Sequence, residues 1–164
     1  MKNIIHLYLW RNTALYFVLI FTMFSCATRY IPNTEILAND DTEAIFSLIG
    51  TYQAALEEKS IEKIQSLLSL NYYDDFGTRE NSDDLDYFAL QKRLESDFES
   101  MKKISLDLKI LQIQVDKDRA YSDLHFFYRV LVQLTDKEMW KSHDDHSRLH
   151  FIREENHWKI IAGL

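Results

Sequence analysis

Apolar residues follow a helical rhythm in the first part of the chain and a strand rhythm in the last, and the change comes once, after Lys103. Ile45, Leu48, Ile49, Tyr52 and Leu56 recur at the three- and four-residue spacings that make one face of a helix. Asp40 stands where that helix needs a cap, with Glu43 placed to complete a capping box. Ser60 caps a second, shorter helix with apolar positions Ile61, Ile64, Leu67 and Leu68. Leu70–Gly77 reads as an irregular or extended link, whose Tyr72, Tyr73 and Phe76 either form a pocket mouth or cover a core edge. Ser82, with Asp83, Asp84 and Asp86 near it, places a cap and negative charge at the start of a third helix, which buries Tyr87, Leu90, Leu94, Phe98 and Met101. That charge pattern needs no calcium to explain it.

Beyond Lys103 the apolar period falls to two. Ile104, Leu106, Leu108 and Ile110 alternate, then Leu111, Ile113 and Val115 continue in the opposite phase, a slip that a β-bulge produces. Asp116-Lys117-Asp118 makes a turn. Ala120, Ser122, Leu124, Phe126, Tyr128, Val130, Val132 and Leu134 then share one face of a long strand. After a turn at 135–138, Met139–Arg153 forms a third strand, and His157–Leu164 a fourth beyond the corner Glu154-Glu155-Asn156. Three helices followed by a four-stranded antiparallel meander is an α+β pattern.

This order, with the opening helix, the long hairpin and the ending His-Trp-Lys-Ile-Ile-Ala-Gly-Leu at 157–164, resembles the nuclear-transport-factor-2-like superfamily. Its members include SnoaL-like cyclases and ketosteroid isomerases, and their last strand often reads Trp-x-Ile. The resemblance covers about residues 40–164. It implies a cone-like, cystatin-like architecture, in which three N-terminal helices pack on a curved four-stranded sheet around a pocket. It also implies that Asp or His inside that pocket can transfer protons, and that two copies can pair through the outer sheet face.

The N-terminal stretch has a different character. Lys2 and Arg11 flank the start of an uncharged apolar run, Thr13–Phe24, which is shorter than the roughly 20 residues of a spanning helix but suits a signal-peptide core. The run ends at Met23-Phe24-Ser25-Cys26, with the chain's single cysteine. This resembles the lipobox of bacterial lipoprotein precursors, in which an apolar residue and a small residue precede the lipid-bearing cysteine. Ser25 fits the small position, Met23 is a less common apolar choice than leucine, and Phe24 is bulkier than the pattern favours. A thiol is the nucleophile that accepts a diacylglycerol, and two acyl chains give stable anchoring where one does not. We therefore expect a signal peptide over 1–25, lipidated Cys26 with a tether over 26–39, and the folded domain over 40–164. Ala27, where enteric inner-membrane lipoproteins carry Asp, favours the outer membrane.

Charge narrows the partners. The formal net charge is −7, and removal of Lys2 and Arg11 with the leader leaves 17 basic against 26 acidic residues, or −9. Such a domain repels nucleic-acid phosphates. The sequence has no phosphate-cradling glycine loop, no serine-nucleophile elbow and no Cys-x-x-Cys pair, which disfavours nucleotide hydrolysis, serine hydrolase chemistry and thiol redox work.

Candidate chemistry concentrates on the third strand. Trp140, Ser142, Asp144, His146, Arg148 and His150 share one face, opposite Leu149 and Phe151. The stripe is either a solvated outer face, the commoner case, or the lining of a polar cavity. Asp144 and His146 lie about 6–7 Å apart along the backbone, so a carboxylate there can orient an imidazole as a general base. They are the catalytic candidates, and Tyr128, Trp140 and Arg148 the ligand-binding ones. His143, Asp144, Asp145, His146 and His150 suggest a metal, but His146 and His150 stand about 13 Å apart on a strand and cannot share an ion. No metal and no cofactor is expected. Phe126, Tyr128 and Trp158 read more simply as core.

The leading expectation is a lipid-anchored, non-catalytic pocket domain that binds a small apolar molecule or an envelope protein. The alternatives are a lyase or isomerase using proton transfer, and a dimeric assembly protein.

Overall fold

A computed structural model describes residues 28–78, 83–134 and 136–164. Cys26 and the apolar run before it lie outside the described residues. Helix α1 spans Asp40–Glu57 and α2 spans Ile61–Leu67. Two short strands, β1 (Tyr73–Asp74) and β2 (Leu85–Asp86), pair antiparallel ahead of α3, Tyr87–Ser100. The main sheet follows: β3 (Met101–Asp116), β4 (Arg119–Gln133), β5 (Glu138–Glu154) and β6 (His157–Ala162), all antiparallel in the order β3-β4-β5-β6.

The expected meander is therefore present, with its slip between Ile110 and Gln112, where Leu111 is the extra residue and is exposed. Lys117 takes a positive φ of 54° in the first turn, and Glu155 and Asn156 take 48° and 66° in the last. Those successive positive values twist a tight hairpin in the same sense as its strands.

Three boundaries differ from the expectations. α1 is capped by Asn39 and not by Asp40. The Asn39 side chain accepts from the Thr42 N–H at 2.9 Å, and the Thr42 hydroxyl accepts from the Asn39 N–H at 3.0 Å, so the reciprocal box forms one position earlier. α3 begins at Tyr87 with Asp86 as its cap, accepting from the Ala89 N–H at 2.7 Å, because Leu85 and Asp86 are held extended by pairing with Tyr73 and Asp74. Ser82, the expected cap, lies outside the described residues. The segment expected as a free tether folds back from Arg29 onward: Tyr30 bridges Leu37, and Ile31 and Ile36 are buried.

The core lies between the helices and one face of the sheet. Ile45, Ile49, Ile64, Leu124, Leu149, Phe151 and Ile160 are almost wholly removed from water, each worth about 1.5–3 kcal/mol of burial. Among the described residues the buried cluster runs from Ile45 to Ile160, with Leu164 packed against it. α1 also guards the outer edge of the sheet. Gln53 donates to the Leu106 carbonyl at 2.6 Å, and the Leu106 N–H donates to Glu57 at 2.7 Å. Lys59, which follows α1, donates to the Met101 carbonyl at 2.8 Å, satisfying backbone just past α3.

Candidate functional site

A cavity of about 290 Å³ remains between α1, α3 and the inner sheet face. Its walls are Leu56 from α1, Leu94 and Phe98 from α3, Ile104, Leu106 and Leu108 from β3, Phe126 and Val130 from β4, and Leu149 from β5. It exists because alternate residues of the strands face inward while the two helices cover that face of the sheet. Gly163 and Leu164 close one end. That end is fixed by polar contacts: the Gly163 N–H donates to Asp74 at 2.7 Å, the Leu164 N–H to the Tyr72 hydroxyl at 3.2 Å, and the Ser147 hydroxyl to the Gly163 carbonyl at 3.1 Å. Asp74 also accepts the Phe76 N–H at 2.9 Å and the Tyr72 hydroxyl at 3.4 Å, so this buried carboxylate is engaged by two backbone donors and one phenol.

Polar groups in the lining are few. Tyr52 and Tyr128 contribute phenols, and neither hydroxyl bonds to another described residue. Desolvation drives the Tyr52 ionisation well above the ordinary phenol range, so it is a neutral donor at physiological pH. Asp97 is the only charged residue of the lining among the described residues; it is half exposed and stands 3.9 Å from Arg93 one turn earlier on α3. Among the described residues no histidine, lysine or arginine lines the cavity.

The polar stripe of β5 lies on the opposite, outer face. Asp144 and His146, joined on sequence grounds, do not contact each other as an acid–base pair and do not line the cavity. Asp144 instead bonds His125 of β4, Oδ1 to Nε2 at 2.6 Å, and His146 stacks on that same imidazole with ring centres 4.6 Å apart. Arg148 forms a two-pronged pair with Asp123, at 2.6 and 2.9 Å, and covers the Tyr121 ring at 4.3 Å. This holds the Asp123 carboxyl below the usual carboxylate range. Trp140 is half exposed on the same face. Of the ligand-binding candidates, then, only Tyr128 lines the cavity. Phe126 lines it too, whereas Trp158 is core and donates its indole N–H to Asp41 at 3.2 Å. Of the link aromatics, Tyr72 is buried against the closing residues, while Tyr73 and Phe76 remain exposed.

Tyr52, Ser147 and Leu164 were not singled out as site residues from sequence. Tyr52 carried the signal of a core-facing helix position only, and Ser147 falls one place off the polar stripe on the inward face. A second, more open cleft of about 630 Å³ runs along the β3 edge beside Phe46, Gly50 and Gln53. Among the described residues no group of three histidines, cysteines or carboxylates converges as a metal site, and no helix is long and apolar enough to cross a membrane.

No protein-family model matches the chain, and no curated protein matches it in sequence. Solved structures do resemble it in shape. A candidate NTF2-like dehydratase from Streptomyces avermitilis superposes with a TM-score of 0.63 at 13% identity, over 75% of this chain and 93% of its own. A candidate scytalone dehydratase from Novosphingobium aromaticivorans gives 0.63 at 14%, over 75% and 80%. A protein from Kribbella flavida gives 0.64 at 14%, over 75% and 87%. Identities this low speak to shape alone. Helices on a four-stranded antiparallel sheet, the inner cavity and these likenesses together show that the chain has the nuclear-transport-factor-2-like fold.

Proposed function

We propose that the cavity binds a small, uncharged, largely apolar molecule without transforming it, in a domain held at the bacterial envelope by lipid on Cys26. The observation that carries the reading is the lining itself: aliphatic and aromatic walls with two phenol hydroxyls that form no hydrogen bond among the described residues. Apolar walls supply the affinity, and a ligand oxygen or nitrogen that accepts from Tyr52 or Tyr128 supplies orientation. A charged ligand would lose its hydration with no opposite charge deep in the cavity to replace it.

The test uses the domain from Ala27 onward and the neutral dye N-phenyl-1-naphthylamine. Saturable fluorescence enhancement is expected, weakened about tenfold or more in Ile104→Trp, which fills the cavity. Binding of equal strength in the variant, with both proteins folded by circular dichroism, would place the dye elsewhere and overturn the reading.

The rival is a dehydratase, favoured by the likeness in fold to two candidate dehydratases. In this chain such chemistry falls to Tyr52, Tyr128 and Asp97, because Asp144 and His146 face away. Turnover of a hydroxyketone such as scytalone, lost in Tyr52→Phe, would replace binding by catalysis.

A further inference from the structure

Strand β5 outruns β6. The ladder between them covers only His150–Glu154, and Gly163 lies against Arg148 just beyond it. Among the described residues no strand lies on the side of β5 away from β4 between Glu138 and His146, and every residue of that stretch is exposed. An open edge of this length presents a row of backbone donors and acceptors ready to pair with another strand.

The direction of those groups follows from two contacts. The His146 N–H is taken by its neighbour's carboxylate, Asp145 Oδ1, at 2.7 Å, and the Arg148 carbonyl faces Gly163. Even-numbered residues therefore turn their backbone groups away from β4. The pairing of β5 with β4 runs without a bulge, so Trp140, Ser142 and Asp144 do the same.

We propose that two copies of this chain join along this edge, antiparallel and symmetric about His143, to make one continuous sheet. In that register Trp140 and Ser142 exchange backbone hydrogen bonds with His146 and Asp144 of the second copy, all of them residues whose groups point outward. Lys141 then stands opposite Asp145 of the second copy, twice by symmetry. The Asp145 carboxylate leaves the His146 N–H, which takes a backbone carbonyl in its place, and finds a cation instead. Trp140, half exposed in the single chain, packs across the strand against His146 of the second copy.

Neighbouring registers fit less well. A shift of two residues one way sets Lys141 against His143 and leaves Asp145 opposite Met139. The same shift the other way drives Trp140 into the edge that Gly163 already occupies. A one-residue shift would put inner and outer faces together.

The experiment is native mass spectrometry of the full chain in a nonionic detergent, with micelles in large excess over protein. Wild type is expected as a dimer. Lys141→Glu and Asp145→Lys should each weaken self-association about tenfold, and the double variant should recover to within about threefold, since the swap restores opposite charges. A monomeric wild type overturns the proposal. So does a dimer that ignores both single changes, or single losses without rescue. As a second reading, His143→Cys in a Cys26→Ser background should crosslink to a covalent dimer with copper–phenanthroline, because facing residues of a non-hydrogen-bonded pair lie about 4.5 Å apart at Cα. Lys109→Cys in the same background should not; crosslinking of both alike, or of neither, overturns it.

Discussion

Gly163 adopts a φ of 101°, and a β-carbon built there would lie 2.1 Å from the Arg148 carbonyl oxygen. Only glycine fits so close to the backbone of β5 in that conformation. Gly163→Ala should therefore destabilise the domain by about 1–3 kcal/mol, read as a lower melting temperature, and should open the end of the cavity that Leu164 closes. An unchanged melting temperature would show that the closing residues can relax outward. The residue scale is also where sequence reading reached least far. Asp144 and His146 share a face, as their spacing of two requires, but the partner that organises both is His125, nineteen positions before Asp144. Strand periodicity gives the face of a residue and says nothing of which neighbour stands across from it. That depends on register, and here on the length of the β4–β5 turn.

At the scale of elements the sequence was most legible where forces are local. The faces of α1 and α2, the bulge after Ile110 and the turns at Lys117 and Asn156 all follow from period or turn chemistry. The start of α3 was not legible, because Leu85 and Asp86 are withheld from the helix by a distant strand, Tyr73–Asp74. A second distant contact ties α1 to the sheet. Asp41, in the first turn of α1, accepts from Arg153 at 2.7 Å and from the Trp158 indole, while Arg153 covers the Trp158 ring at 4.4 Å. The guanidinium holds the Asp41 carboxyl below its ordinary value. A depressed carboxylate stabilises the fold above its unfolded-state value, near 3.8, and that contribution is lost as pH falls through the lower folded-state value. Asp41→Asn should accordingly cost about 0.5–1 kcal/mol near neutrality, a modest figure because the pair is partly solvated. The gap to wild type in chemical denaturation should narrow below about pH 4. A gap that stays constant with pH would assign the loss to packing and not to charge.

At the scale of the whole molecule, the architecture was readable and the cavity's contents were not. Layer order follows from which periods occur and in what sequence, whereas the volume left between α1, α3 and the sheet depends on crossing angles that no pattern of residues records. The same scale joins the domain to the segment before it. Ile31 and Ile36 are buried, and the Ala38 N–H donates to the Arg29 carbonyl at 2.7 Å, so order reaches within three residues of Cys26. A lipid on Cys26 would thus hold the domain close against the bilayer, and not at the end of a loose tether. An apolar ligand leaving the membrane would then have only a short aqueous path to the cavity. If this arrangement holds, the full chain expressed in a bacterial host should incorporate labelled palmitate and partition into the detergent phase of a Triton X-114 extract. Cys26→Ser should abolish the label, because an alcohol is a far weaker nucleophile than a thiolate toward the diacylglycerol donor. Loss of label in the variant with persistent detergent partitioning would point to an uncleaved apolar segment as the anchor. Label that survives the substitution would remove lipidation at this cysteine altogether, and with it the reason to place the cavity beside a membrane.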